Sequence, residues 1–161
     1  MRVCRRLAIF LLVTMACGYQ ARGAEGDLKG LRAIQLVAYA DRDSQACGIK
    51  QEAMRDAFLS RTSSTKLRVS ERNTDDPVFY IQVLSIRTNA ECASAKNMKL
   101  TTLQPVKLPF ADQARGYAVI LWDNDGRILA SPEGQHSLSV RQAIGNEVAR
   151  FMIRWISDNR P

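Results

Sequence analysis

The sequence predicts an α+β fold, a two-layer sandwich in which a mixed, mostly antiparallel sheet of five to six strands carries two helices on one face. Two observations support this prediction. Six short segments have the composition or the alternation of strands, and two segments repeat apolar residues at helical spacing. The predicted order is β-α-β-β-β-β-β-α. Each amphipathic helix needs an apolar surface to cover, and one face of such a sheet provides it for both.

The first two predicted elements are a central strand and a helix. Residues from Leu31 to Ala40 are apolar at positions on both faces, which is typical of a buried strand. Asp43 or Ser44 then caps a helix that ends at Ser60. The apolar stripe of this helix consists of Ile49, Ala53, Met54, Ala57 and Phe58.

Three strands are predicted in the middle of the chain. Residues 66–71 alternate between polar and apolar, and residues 78–87 are dense in β-branched and aromatic side chains. Cys92 is expected in a short polar connection that follows. A third strand covers residues 98–108, and Pro105 confines that part of it to an edge or a bulge, because proline has no N–H for the ladder.

A hairpin is predicted from the next two strands, residues 117–122 and 127–130. The connection from Asp123 to Gly126 reads Asp-Asn-Asp-Gly. Gly126 can supply the positive φ that a tight hairpin turn needs, so we expect the two strands to pair with each other.

The last predicted element is a helix from Val140 to Ser157. Ser139 and Gln142 have the spacing of a capping box at its start. The core stripe consists of Val140, Ile144, Val148, Phe151 and Trp155. Three further apolar residues, Met152, Ile153 and Ile156, make the apolar arc wider than one sheet face requires. This arc is either deeply buried or a face that meets a partner.

The first 23 residues are predicted to be a signal peptide, followed by one domain over residues 24–161. Three arginines within the first six residues precede ten uncharged residues, from Leu7 to Ala16. As a helix these ten residues would span about 15 Å, half the thickness of a hydrocarbon core, which suits a signal sequence better than a membrane span.

Small residues occupy the positions that signal peptidase requires both before Ala24 and before Tyr19. Cleavage after Gly23 is favoured because it leaves room between the apolar run and the cut. Cleavage after Gly18 and lipid attachment at Cys17 are the alternatives. No later segment is long and apolar enough to be a transmembrane helix. We therefore expect a periplasmic or secreted protein whose mature chain does not span a membrane.

Cys47 and Cys92 are the two cysteines that remain once residues 1–23 are removed. In an oxidising compartment such a pair is predicted to form a disulfide. The bond would close a loop of 45 positions, for which the chain-entropy model gives at most about 4 kcal/mol of stabilisation. Free or metal-bound thiols are the alternative.

The charge of the chain gives no indication of a nucleic-acid partner. The formal net charge of +7 falls to +3 without the four arginines of the leader, and the remaining basic residues are scattered. One histidine and two cysteines cannot form the usual zinc ligand sets, and no glycine-rich phosphate loop is present. The sequence predicts no metal site and no cofactor.

Four general features resemble those of a known group of domains: the apolar strand of residues 31–40, the helix start at Cys47 and Gly48, the turn of residues 122–126 and the closing helix with Trp155. In these features, and in size, most of the mature chain resembles the small periplasmic α/β domains of bacterial envelope proteins. Examples are the N-terminal domain of the Tol-Pal translocation protein and the outer-membrane assembly lipoproteins. The resemblance implies a periplasmic α/β domain and transfers no functional residue.

His136 is the single histidine and lies in the polar segment 131–137, which is predicted to be a loop. A solvated or capping role is preferred to catalysis there, because no G-x-S-x-G turn surrounds any serine. The predicted function is therefore non-catalytic binding or assembly of an envelope protein, or self-association, through a sheet edge or the last helix. The alternatives are a hydrolase-type enzyme with a site assembled around His136 and a small-ligand carrier.

Overall fold

The chain folds as a mixed sheet with helices on one face, which confirms the predicted α+β two-layer class. The computed structural model describes residues 28–70, 75–106, 115–124 and 126–160. The predicted signal peptide, its cleavage sites and Cys17 lie outside the described residues, and the domain boundary at residue 23 stays a prediction. The elements are β1 (Ala33–Ala40), α1 (Arg42–Ala46), α2 (Gln51–Thr62), β2 (Arg68–Ser70), β3 (Val78–Arg87), β4 (Glu91–Val106), β5 (Arg115–Asp123), β6 (Arg127–Pro132) and α3 (Glu133–Asp158).

The sheet has the strand order β2-β1-β3-β4-β5, and β6 also pairs with β4. β1 pairs in parallel with β2 and β3, whereas β4 pairs antiparallel with β3, β5 and β6. β1 therefore has neighbours on both sides, as its two apolar faces predicted. β3 has the predicted bounds.

The core lies between the helices and the inward face of the sheet. Alternation along β3 buries Phe79, Ile81 and Val83 against the helices. The ring of Phe79 packs on those of Phe58 and Phe151, with centroid distances of 4.7 and 4.9 Å. Each fully buried side chain of this size contributes about 1.5–3 kcal/mol, so this aromatic cluster is the main hydrophobic contact between the two layers.

The first predicted helix is two helices. α1 ends at Cys47, and Gly48 then takes a positive φ of 78°, a conformation that breaks a helix and that glycine adopts without strain. The prediction of Asp43 or Ser44 as the cap was also wrong. The cap is Asp41, whose carboxylate accepts a hydrogen bond from the Ser44 N–H at 2.8 Å.

The predicted hairpin between β5 and β6 is wrong. Both strands pair with β4, β5 with residues 99–106 and β6 with residues 91–96, so they lie end to end along it. The segment between Asp123 and Arg127 has one residue more than the segment of β4 that it faces, which makes it a bulge in one long edge. Gly126 has no positive φ there.

β4 begins at Glu91, seven residues before the predicted strand, so Cys92 lies in the strand and not in a connection. Ser94 and Lys96 occupy inward positions of the added part and are buried. This part of the strand was not predicted, because polar residues at inward positions interrupt the apolar alternation. Pro105 lies beyond the last pair with β3, at Thr101, where only β5 accompanies the strand, in agreement with the predicted edge position.

α3 begins at Glu133 rather than at Val140. The predicted capping box was therefore wrong: Ser139 is inside the helix, and its hydroxyl donates to the Gln135 carbonyl oxygen at 3.2 Å. The N-terminal end is held instead by Glu133, whose carboxylate accepts a hydrogen bond from Arg87 at 2.8 Å. A negative side chain in the first turn also suits the helix dipole.

A disulfide joins Cys47 and Cys92, in agreement with the predicted pairing. Both residues are buried. The bond ties the end of α1 to the start of β4 and so fixes the first helix on the sheet.

Candidate functional site

His136 lies in the first turn of α3, fully buried, at the centre of a chain of serine hydroxyls. Its Nε2 is 2.6 Å from the Ser94 Oγ, and its Nδ1 is 2.8 Å from the Ser131 Oγ. From Ser94 the chain continues to Ser85 at 2.6 Å and from there to Ser44 at 2.7 Å. The predicted solvated or capping role is wrong, because the imidazole is a core group in a hydrogen-bond chain that spans five elements, α1, β3, β4, β6 and α3.

The direction of this hydrogen-bond chain follows from its last member. The Ser44 hydroxyl donates to the Val83 carbonyl oxygen at 3.1 Å. A hydroxyl donates only one hydrogen, so Ser44 accepts from Ser85, Ser85 accepts from Ser94, and Ser94 accepts from the Nε2–H of His136. The nitrogen that faces Ser94 therefore carries the proton and cannot remove one from that serine.

Burial lowers the pKa of His136 because its surroundings do not solvate an imidazolium. The residue is therefore neutral at physiological pH. Both His136 and Ser94 are inaccessible to solvent, so a substrate cannot reach the serine–histidine contact. This geometry supports a structural role for the Ser94–His136 contact, while the Nδ1 of His136 accepts a hydrogen bond from the half-buried Ser131.

Lys96 and Glu147 form a second buried polar contact, between β4 and α3. The Lys96 Nζ is 3.5 Å from the Glu147 Oε1, and Glu147 also accepts a hydrogen bond from Arg150 at 3.2 Å. Burial lowers the pKa of Lys96, and the Glu147 carboxylate opposes that shift. Removing one member of such a pair would leave a buried charge at a cost of about 3–5 kcal/mol, so the pair fixes α3 on the sheet.

Among the residues that the structure describes, no helix covers the outward face of the sheet, and part of this face is apolar. Leu84 and Ile86 of β3 are 44% and 69% exposed, and Ile128 of β6 is 80% exposed. The register places alanines of β4 between these two strands. We call this surface the apolar patch; it consists of Leu84, Ile86, Ala93, Ala95, Ile128 and Ala130.

A second group of side chains lies on the same open face and is polar. The register puts Tyr39, Gln82 and Asn97 in one row across three strands, and Tyr80, Lys99 and Asp123 in the next row. We call these six residues the polar platform. A groove of about 350 Å³ opens where the platform meets the apolar patch, beside the bulge between β5 and β6.

The predicted partner face on the last helix is only partly available. Met152 is buried and belongs to the core, because it faces the sheet side of α3. Ile153 and Ile156 are 69% and 43% exposed on the outer side of the helix. The candidate surface on α3 is therefore limited to two isoleucines.

Both sheet edges are poorly suited to pairing with another strand. At one edge, β2 has only three residues. At the other edge, the pairing of β5 shifts register beside Leu100, and the bulge before β6 interrupts the ladder again. Short strands and bulges are the usual devices that prevent edge-to-edge association. The open face is consequently the more accessible surface for a partner.

The described residues contain no group of three or more histidine, cysteine, aspartate or glutamate side chains that could hold a metal ion. Within the same ranges, no helix has the length and hydropathy needed to cross a membrane.

The open face was not predicted from the sequence, although the apolar residues Leu84 and Ile86 indicate it. They make β3 apolar on both faces, while a two-layer sandwich covers only one.

No protein-family model matches the chain, and no curated protein does. Among solved structures, it is similar to the crystal structure of the rare lipoprotein B from Shewanella oneidensis. The two chains are 13% identical, and the match covers 76% of this chain and 94% of that chain with a TM-score of 0.34. At this TM-score the likeness carries no argument about function.

Proposed function

We propose that the mature chain is a non-catalytic, exported binding protein that docks another envelope protein through its apolar patch. The observation that carries the proposal is the uncovered sheet face, on which Leu84, Ile86 and Ile128 expose large apolar side chains side by side. Contiguous apolar surface is unfavourable in water and is typical of interaction sites. A docked partner would remove it from solvent.

Export is supported by two independent features. The basic and apolar segment at the start of the chain has the pattern of a signal peptide. The buried Cys47–Cys92 disulfide is of a kind that persists in oxidising compartments and is rare in the cytosol. A protein partner in the same compartment follows from these two features.

The exposed side chains of the patch can contribute to docking. Fully burying a side chain such as leucine or isoleucine stabilises by about 1.5–3 kcal/mol, and these three are already partly covered by their neighbours. About 1–2 kcal/mol each is a reasonable contribution to docking. Two exposed isoleucines on α3, Ile153 and Ile156, provide a smaller surface of the same chemistry and therefore a matched control.

Site-specific photo-crosslinking in the producing cell tests the proposal. A photoreactive phenylalanine analogue replaces Ile128 in one variant and Ile153 in another, and mass spectrometry identifies the captured protein. We expect one envelope protein to be captured from position 128 and not from position 153. Adding Ile86→Asp should abolish the capture, because a charge within the apolar patch would be desolvated without a partner.

Three results would contradict the proposal. Capture from position 153 alone would place the interface on α3, and capture of only a second copy of the chain would mean self-association. The absence of capture at both positions would argue against a binding role. Circular dichroism on each purified variant checks the fold, which we expect to persist since Ile86, Ile128 and Ile153 are all exposed.

A further inference from the structure

The polar platform has hydrogen-bonding groups that the fold itself does not use. Gln82, Asn97 and Asp123 are exposed, and none of these side chains forms a hydrogen bond to another residue within the described ranges. They are held on a rigid surface, because all three belong to paired strands of the sheet. Neighbouring strands are about 4.8 Å apart, so the row from Tyr39 to Asn97 is about 10 Å wide.

A buried amide group without a hydrogen-bond partner lies beside the platform, at the groove. Asn124 is only 9% exposed and lines the groove together with Leu84 and Ala95. Its Oδ1 accepts a hydrogen bond from the Met98 N–H at 2.8 Å. Its Nδ2 is buried and has no hydrogen-bond partner among the residues that the structure describes. A buried amide donor without a partner requires an acceptor. The Nδ2 has no solvent-accessible surface, so a ligand in the groove would supply that acceptor only once the groove wall opens around it.

The side chains of this surface favour one class of ligand over the others. An anion is disfavoured, because the platform has a single cation, Lys99, whose Nζ lies over the Tyr80 ring at 5.9 Å from its centroid, and because the acidic residue Asp123 is its register partner on β5. A purely apolar ligand would leave the amides without partners. Gln82 and Asn97 each present a donor and an acceptor on one group, which matches hydroxyl groups that both donate and accept. The exposed ring of Tyr39 offers a flat apolar surface for the face of a sugar ring, whereas the Lys99 Nζ lies over the Tyr80 ring, 5.9 Å from its centroid.

The groove adds a preference for an acetamido substituent. Its apolar wall, Leu84 and Ala95, suits a methyl group. The free Nδ2 of Asn124 suits a carbonyl oxygen immediately next to that methyl group. An N-acetyl group has these two parts on adjacent atoms.

We infer that the polar platform and the adjoining groove form a binding site for a neutral oligosaccharide with N-acetyl groups, with one sugar ring on Tyr39 and one acetamido group in the groove. This is a second binding activity beyond the proposed protein contact. It shares Leu84 and Ala95 with the apolar patch and does not depend on a protein partner.

Titration of the ¹⁵N-labelled mature protein with chitotetraose, followed by two-dimensional NMR, tests the inference. Maltotetraose, which has hydroxyl groups but no N-acetyl groups, is the comparison ligand. Titration to about 10 mM detects dissociation constants near 1 mM. We expect chitotetraose to shift the amide signals of Gln82, Asn97 and Asn124, and maltotetraose to bind at least about tenfold more weakly.

Matched variants locate the site. Gln82→Ala with Asn97→Ala should weaken chitotetraose binding at least about tenfold, because both side chains are exposed and lose only ligand contacts. The same chemical change on α3, Gln142→Ala with Asn146→Ala, should have no effect. Ile86→Asp with Ile128→Asp should also preserve binding, which separates this site from the protein contact.

The inference is overturned if chitotetraose causes no shifts, or if its binding is unchanged in the Gln82 and Asn97 double variant. Equal binding of the two tetrasaccharides would overturn the assignment of the groove to the acetamido group. None of these results bears on photo-crosslinking from position 128, so the two proposals can fail separately.

Discussion

His136 and Lys96 are both ionisable and both buried, but only Lys96 has a countercharge. Glu147 lies beside the Lys96 ammonium group, whereas the hydrogen-bond partners of His136 are the neutral hydroxyls of Ser94 and Ser131. An imidazolium in this position would also lie at the positive end of the α3 dipole. Protonation of His136 is therefore expected to weaken the fold.

This expectation gives a pH dependence of defined sign. The pKa of His136 is lower in the folded chain than its ordinary value of 6.5, so the unfolded chain binds more protons below that pH. The contribution of His136 to stability is complete above about pH 6.5 and is lost as the pH falls from there towards the folded-state pKa, by at most about 1.4 kcal/mol per pH unit.

Urea unfolding of the wild type and of His136→Gln, at several values between about pH 5 and pH 8, measures this contribution. The variant is less stable at neutral pH, and the difference between the two proteins should narrow as the pH falls. The titration of Asp41 does not affect this comparison in the same pH range. Desolvation raises its pKa, but hydrogen bonds from Ser44 and Ser85 outweigh this effect and hold it below the ordinary value. If the free energies of unfolding of the two proteins changed with pH in parallel, the assigned role of His136 would be contradicted.

At the scale of elements, the predictable parts are those in which apolar residues follow the period of the element. β1 and β3 were predicted because their inward positions are apolar, and the core stripe of α3 was predicted for the same reason. The start of β4 and the first turn of α3 were missed, since Ser94, Lys96 and His136 occupy inward positions there. Their partners are distant in sequence, so periodicity alone could not identify them.

The bulge between β5 and β6 shows how tertiary pairing overrides a local turn pattern. The residues from Asp123 to Gly126 suit a hairpin turn, but β4 has 16 residues and can pair with both strands in tandem. Asn124 makes this arrangement possible. Its backbone N–H donates to the Met98 carbonyl oxygen at 3.1 Å, and its side chain accepts from the Met98 N–H at 2.8 Å.

Asn124→Ala is consequently expected to destabilise the protein by about 1–3 kcal/mol, because the buried Met98 N–H loses its acceptor. The exposed neighbour Asn97 supplies the control: Asn97→Ala should change the free energy of unfolding by less than about 0.5 kcal/mol. Urea unfolding measures both values, and hydrogen exchange should be faster at the Met98 amide in the first variant only. Equal effects of the two substitutions would show that Asn124 does not hold the bulge.

At the scale of the whole molecule, the described residues form an asymmetric arrangement, with one sheet face packed under three helices and the other face open. Both edges are interrupted or short, so the open face is the surface that remains for recognition. An asymmetric molecule of this kind depends on the helical layer staying in place. The aromatic cluster, the Lys96–Glu147 pair and the Cys47–Cys92 disulfide all link that layer to the sheet.

The disulfide is the one covalent link among these contacts, and its removal tests how far the layer depends on it. It closes a loop of 45 positions, so Cys47→Ala with Cys92→Ala should lower the free energy of unfolding by up to about 4 kcal/mol through the entropy of the unfolded chain. Because native domains are stabilised by only about 5–15 kcal/mol, a loss of this size would leave α1 and α2 prone to detach from β1.

Urea unfolding of the double variant, beside wild type reduced with dithiothreitol, measures the effect. The reduced wild type keeps both sulfur atoms in the core, so a similar loss in the two samples would attribute the stabilisation to the covalent link. A loss confined to the alanine variant would attribute it to packing around Cys47 and Cys92, which are both buried. In that case the α1–α2 layer would be held by its apolar contacts, and the protein would not need an oxidising compartment to keep its open face in shape.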